Sequence, residues 1–137
     1  MKSNIISYLI CACIFFGADA VWLTIAGNRI YRPILGDILL EKFSVAPALV
    51  FYALYVLGIV IFAIAPALVA EKWTTALLYG ALFGLFAYAT YDLSNYATLR
   101  NWSLSLTLID LSWGVIVTAS SAVLAYILTT AILGVPR

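Results

Sequence analysis

Four apolar runs, each long enough to cross a lipid bilayer and separated by short polar breaks, leave this chain very few possible folds. An α-helix rises 1.5 Å per residue, so about 20 apolar residues cover a hydrocarbon core roughly 30 Å thick. Without water in that core, every backbone N–H and C=O must be paired within the segment, which makes such runs helical. The runs cover residues 4–26, 48–69, 74–96 and 103–133. The expected fold is therefore all-α: a polytopic membrane protein, built as a bundle of four transmembrane helices with a short interfacial helix in the first loop. A single domain over residues 1–137 accounts for the whole length.

Composition agrees with that solvent and removes several functions. Hydrophobic residues make up 66% of the chain and charged residues 9%, whereas soluble domains are about 45–50% apolar and about 25% charged. Four spans use most of the 137 residues and leave no room for a soluble catalytic module. A net charge of +1, from 7 basic and 6 acidic side chains, offers no basic face to nucleic acid, so nucleic acid is not an expected partner. The sequence has no histidine, which removes His-ligated haem, histidine-box oxidation and zinc-protease chemistry. No metal site and no cofactor is expected. Cys11 and Cys13 lie two apart on one helix, about 200° around its axis, and so face apart as small apolar filler. Residues 1–17 have the charged start and apolar middle of a signal peptide. Asp19 then follows without a small-residue cleavage site and the run continues to Ala26, so a retained first span is expected.

Between the first two spans, residues 27–47 carry Arg29, Arg32, Asp37, Glu41 and Lys42. Pro33 is able to start a helix there, and Ile34, Leu35, Ile38, Leu39 and Phe43 recur at helical spacing, as a helix lying in the interface would require. Glu71-Lys72-Trp73 forms so short a break that the second and third spans must be antiparallel neighbours. On the third span Ala76, Gly80 and Gly84 place a small residue at every fourth position, which lets two helix backbones approach closely. Ser103, Thr107, Asp110, Gly114, Thr118 and Ser121 share one small polar face of the fourth span, expected to look into the bundle. Lys2, Lys72 and Arg137 on one side balance Arg29, Arg32, Lys42 and Arg100 on the other, which leaves the orientation open.

Three aspartates interrupt the apolar runs: Asp19, Asp92 and Asp110. A charge at mid-bilayer costs roughly 2.5–3.5 kcal/mol on insertion scales, so an intramembrane ionisable residue is a functional-site hypothesis by default. Counted from the span ends, all three fall about 6–10 Å below the same interface. The opposite half of the membrane is almost purely apolar, so a pocket open to one side is expected rather than a through-channel. Tyr88, Asp92 and Asn95 share one face of the third span, and Asp19 with Trp22 and Asp110 with Trp113 repeat a D-x-x-W spacing. Arg32 and Arg100 lie in the loops just above and are long enough to reach carboxylates from the interface. The expected ligand-binding set is Asp19, Trp22, Arg32, Tyr88, Asp92, Asn95, Arg100, Asp110 and Trp113, with Asp92 as central acceptor and no catalytic residue assignable. Buried Asp, Asn and Tyr also fix helix bundles by hydrogen bonds worth about 0.6 kcal/mol each, the plainer role for the same residues.

From Gly80 to Gly84 and on through Tyr88-Ala-Thr-Tyr-Asp92-Leu-Ser-Asn95-Tyr-Ala-Thr-Leu-Arg100-Asn-Trp102 to Asp110-Leu-Ser-Trp113-Gly114, the chain resembles a bacterial family of short four-helix predicted membrane proteins with a domain of unknown function, of the DUF2177 kind. Asp19-Ala-Val-Trp22, the Tyr31-Arg32 step and the Leu35-Gly36 pair carry the same resemblance. It implies a multi-pass protein of a bacterial cytoplasmic (inner) membrane and supplies no activity. Three readings stay open: a carboxylate pocket for a polar or cationic small molecule or lipid headgroup, a small proton-coupled transporter acting as a homodimer, and an accessory subunit of a membrane complex or a lipid-modifying enzyme. The second is comparable with the small multidrug resistance family in its four helices and membrane carboxylate, but departs from it in having three carboxylates and a long charged first loop. An enzyme is disfavoured because no nucleophile stands beside a base.

Overall fold

A computed structural model describes residues 2–42 and 44–134. Phe43, expected on the apolar arc of the first loop, and Arg137, counted in the charge balance, lie outside the described residues. Four helices long and apolar enough to cross a membrane make up the chain: α1 Lys2–Ile38, α2 Val45–Ala70, α3 Trp73–Thr98 and α4 Leu104–Leu133. Among the described residues there is no strand. Large apolar side chains stand exposed on every helix, among them Leu9, Phe16, Leu54, Phe62, Phe86, Ile116 and Ile132. That outward face suits lipid, against which leaving an apolar side chain exposed costs nothing.

The first helix does not end at Ala26. It passes through a π-turn, Gly27–Tyr31, into the short helix Arg32–Leu35 and a last 3₁₀ turn, Gly36–Ile38. The short helix expected at Pro33 is thus present but continuous with the first span. A second π-turn, Val60–Ile64, interrupts α2 just before the segment Ala65–Ala70. Both have one cause. A proline ring collides with the carbonyl four residues earlier, which is Arg29 for Pro33 and Phe62 for Pro66, and each of those carbonyls lies inside a π-turn. Widening the turn there carries the helix past a proline that would otherwise break or kink it.

Helix ends follow local chemistry. Ser103 caps α4, its hydroxyl accepting from the Leu106 N–H at 3.1 Å. Between α2 and α3 the chain reverses at Glu71, in left-handed conformation with φ 53°, and the Lys72 N–H donates to the Ala67 carbonyl at 3.2 Å. These steps make α2 and α3 antiparallel.

Packing is organised around α4, which has the largest buried surface of the four. Helix α1 runs antiparallel along its length: Ser7 bonds Thr129 at 3.0 Å near one end, Trp22 stacks on Trp113 in the middle, and Leu35 packs with Trp102 and Leu106 at the other end. On the opposite flank α3 lays Ala76, Gly80 and Gly84 against α4. A Cβ added at Gly80 would stand 3.0 Å from the Ala119 Cα, and one at Gly84 2.8 Å from the Thr118 Oγ1. The small residues are therefore the condition for this close approach. Helix α2 closes the bundle through Tyr55 against Phe15 and Phe62 against Phe83.

Candidate functional site

The two D-x-x-W pairs meet at the centre of the α1–α4 contact. Their indoles stack in parallel, with ring centroids 4.5 Å apart and planes 8° from parallel. Each indole then serves the carboxyl of the other helix. Trp113 on α4 donates to Asp19 Oδ1 at 3.0 Å. Trp22 on α1 donates to the Tyr31 hydroxyl at 3.1 Å, and that hydroxyl donates to Asp110 Oδ1. Because the helices are antiparallel, the same three-residue spacing on both produces a local pseudo-two-fold arrangement around the stacked rings.

That arrangement alters the expected depth. Asp19 and Asp110 lie on opposite sides of the indole stack, each three residues from its own tryptophan, so they are separated by roughly 9 Å along the bundle. They form two tiers instead of one layer. The helix that carries Asp19 does not end at Ala26 but continues to Ile38. The deeper tier is satisfied by neutral donors: besides Trp113, the Tyr52 hydroxyl on α2 bonds Asp19 Oδ2 at 2.5 Å.

The outer tier is less complete. Asp92 on α3 is fully buried and faces Asp110 across the α3–α4 contact. Neither Asp92 oxygen finds a donor in the protein. Two carboxyl groups brought together in this way need a cation between them, a proton or something larger, because burying an uncompensated charge is costly.

A cavity of about 540 Å³ opens beside these tiers. Asp19 and Asp110 stand in its wall with Trp22, Tyr31, Tyr88 and Trp113. Eight of its eighteen described lining residues are aromatic, the others of that kind being Phe51, Tyr55, Tyr91 and Trp102. Towards the loop the wall carries one cation and one anion, Arg32 and Glu41. The half of the bundle beyond Asp19 contains buried hydroxyls, the Ser7–Thr129 bond and the unpartnered Ser121 among them, and no buried carboxylate among the described residues.

Of the residues singled out in the sequence, Asp19, Trp22, Arg32, Tyr88, Asp110 and Trp113 converge on the cavity. Asp92, expected as the central acceptor, stands behind Asp110 and does not line it. Asn95 is half-buried on the same face of α3, one turn further out. Arg100 is exposed in the turn before α4 and does not reach the wall. The donors on Asp19 and Asp110 are Tyr52, Trp113 and Tyr31, where arginines were expected. Tyr31 and Tyr52 had no signal in charge or periodicity: one lies on a helical continuation hidden by the polar residues around it, the other in an uncharged run.

The described residues contain no group of three or more Cys, Asp and Glu side chains placed to hold a metal ion. No curated protein and no solved structure matches the chain. A family match covers residues 4–127, which take in most of each of the four helices and both tiers of carboxylates. The chain belongs to the family described as Predicted membrane protein (DUF2177).

Proposed function

We propose that this membrane protein binds an organic cation in the aromatic cavity, with the positive group held by Asp19 and Asp110 and the apolar body among the rings. The observation that carries the reading is one wall combining Asp19 and Asp110 with eight aromatic residues. An ammonium ion over an aromatic face gains about 0.5–1 kcal/mol at an exposed site and about 2 or more once desolvated, and the carboxylates add charge pairing. At about 540 Å³ the space suits a small molecule, within the range of roughly 300–1,000 Å³ typical of ligand pockets. The same chemistry fits a soluble amine and the ammonium headgroup of a lipid. A bacterial cytoplasmic membrane is the location we assign, on the resemblance described above.

Native mass spectrometry of protein released gently from its own membrane separates the two sources, because a phospholipid and a small amine differ in mass. The expected result is a bound species on the wild type that Asp19→Asn loses while remaining folded. Tetraphenylphosphonium, added as a probe cation, should change the fluorescence of Trp22 and Trp113 saturably. A wild type that retains nothing and gives no saturable response to the probe refutes the reading.

A further inference from the structure

Asp92 has no part in lining the cavity, yet among the described residues it is the carboxyl group least exposed to solvent. Its side chain is fully buried, both oxygens lack a donor, and it faces Asp110, which does line the cavity. One Asp110 oxygen, Oδ1, accepts from the Tyr31 hydroxyl. Asp110 is thus shared between a closed carboxyl pair on one side and the ligand space on the other. Asp19, by contrast, has a neutral donor on each oxygen, Tyr52 and Trp113, so no gap beside it calls for a proton.

We infer that Asp92 and Asp110 hold one exchangeable proton between them, and that this proton leaves when a cation enters the cavity against Asp110. The inference rests on the cation-binding reading given above. Its balance is simple: one proton passes from the carboxyl pair to water, one monovalent organic cation takes its place beside Asp110, and the charge of the site is unchanged. No bond other than O–H breaks, and no co-reactant is needed. A proton suits the gap because two opposed oxygens are enough to hold it. A metal ion needs a fuller oxygen shell, and the Tyr31 hydroxyl, already donating to Asp110, is turned the wrong way to supply part of one.

Few other ionisable groups face the pair. On α3 itself these are Tyr88 and Tyr91, and from α1 Tyr31 and Asp19. Helix α2 reaches the pair only through Tyr52 on Asp19 and Tyr55 in the cavity wall. Arg32 and Glu41 stand further along that wall, towards the loop.

The test uses purified full-length protein in detergent, with tetraphenylphosphonium as the probe cation, read by tryptophan fluorescence over a series of pH values and by proton release in weakly buffered solution. For the wild type, about one proton should leave per cation bound, and affinity should rise about tenfold per pH unit while the pair titrates. Asp92→Asn places an amide where the protonated carboxyl stood. It should bind the probe with no proton release and a flat pH profile. Probe binding without proton release in the wild type, or undiminished release in Asp92→Asn, overturns the inference.

If the probe binds neither protein, the cavity reading fails, and dicyclohexylcarbodiimide, which modifies protonated carboxyl groups in apolar surroundings, decides the proton site separately. Modification of Asp92 that fades as pH rises supports an exchangeable proton there. Absence of modification, or protection by sodium at constant pH, overturns it.

Discussion

Substituting Gly84 by alanine tests whether the α3–α4 approach holds the outer carboxyl tier together. The added Cβ would meet the Gly114 carbonyl oxygen and stand 2.8 Å from Thr118 Oγ1 and 2.9 Å from Thr118 Cβ. None of these atoms yields easily: the first is backbone, and Thr118 is fixed by a 2.8 Å hydrogen bond with the Tyr55 hydroxyl. The helices must therefore move apart. Overpacking of this kind costs typically 1–3 kcal/mol, and a backbone obstacle puts it at the upper end. Alanine in place of glycine returns about 1 kcal/mol of helix propensity. The net expectation is a loss of about 2 kcal/mol. Gly17→Ala is the matched control, since a Cβ there meets nothing within 4 Å, and it should be neutral or stabilising by up to about 1 kcal/mol. The two variants should differ by about 3 kcal/mol, more than a hundredfold in the unfolding constant. Reversible unfolding by sodium dodecyl sulfate in mixed micelles, followed by tryptophan fluorescence, measures the difference. A Gly84→Ala protein as stable as Gly17→Ala would refute the close approach and, with it, the juxtaposition of Asp92 and Asp110.

The indole bonds give two further expectations. Trp113→Phe keeps a ring in the stack but removes the N–H that serves Asp19 Oδ1. It should lose about 0.6–1.7 kcal/mol in the same unfolding titration, the range for membrane hydrogen bonds, and a larger loss would mean that the ring's packing matters more than its donor. Tyr31→Phe removes a hydroxyl that both accepts from Trp22 and donates to Asp110. Amide hydrogen exchange should then quicken over residues 27–38 while the deeper part of α1 stays protected; unchanged exchange would show that Leu35 packing alone holds this segment.

The architecture was legible because it depends on long averages. Four runs of apolar residues survive a misjudged boundary, and the stripe of Ala76, Gly80 and Gly84 needs only the helical period to announce a close contact. The site depends on single residues and on where helices end. Polar residues after Ala26 read as a loop, yet Gly27–Ile38 stays helical because a π-turn accommodates Pro33 and because Leu35 packs against Trp102 and Leu106, a tertiary contact no local pattern contains. That one boundary brought Tyr31 into reach of Asp110.

The D-x-x-W repeat shows the same limit from the other side. Its spacing was plain, and a pseudo-symmetric pocket was the natural expectation, but spacing does not say which carboxyl an indole serves. Pairing within one helix would have left two independent Asp–Trp units. The antiparallel register instead crosses the bonds, so that Trp113 fixes Asp19 and Trp22 holds Tyr31 on Asp110. A cation arriving at Asp110 therefore meets a carboxyl group whose hydroxyl donor is anchored through Trp22 to the indole stack, and so to α4. The stack stands between the two tiers, its two rings in contact and each bonded towards a different carboxyl group.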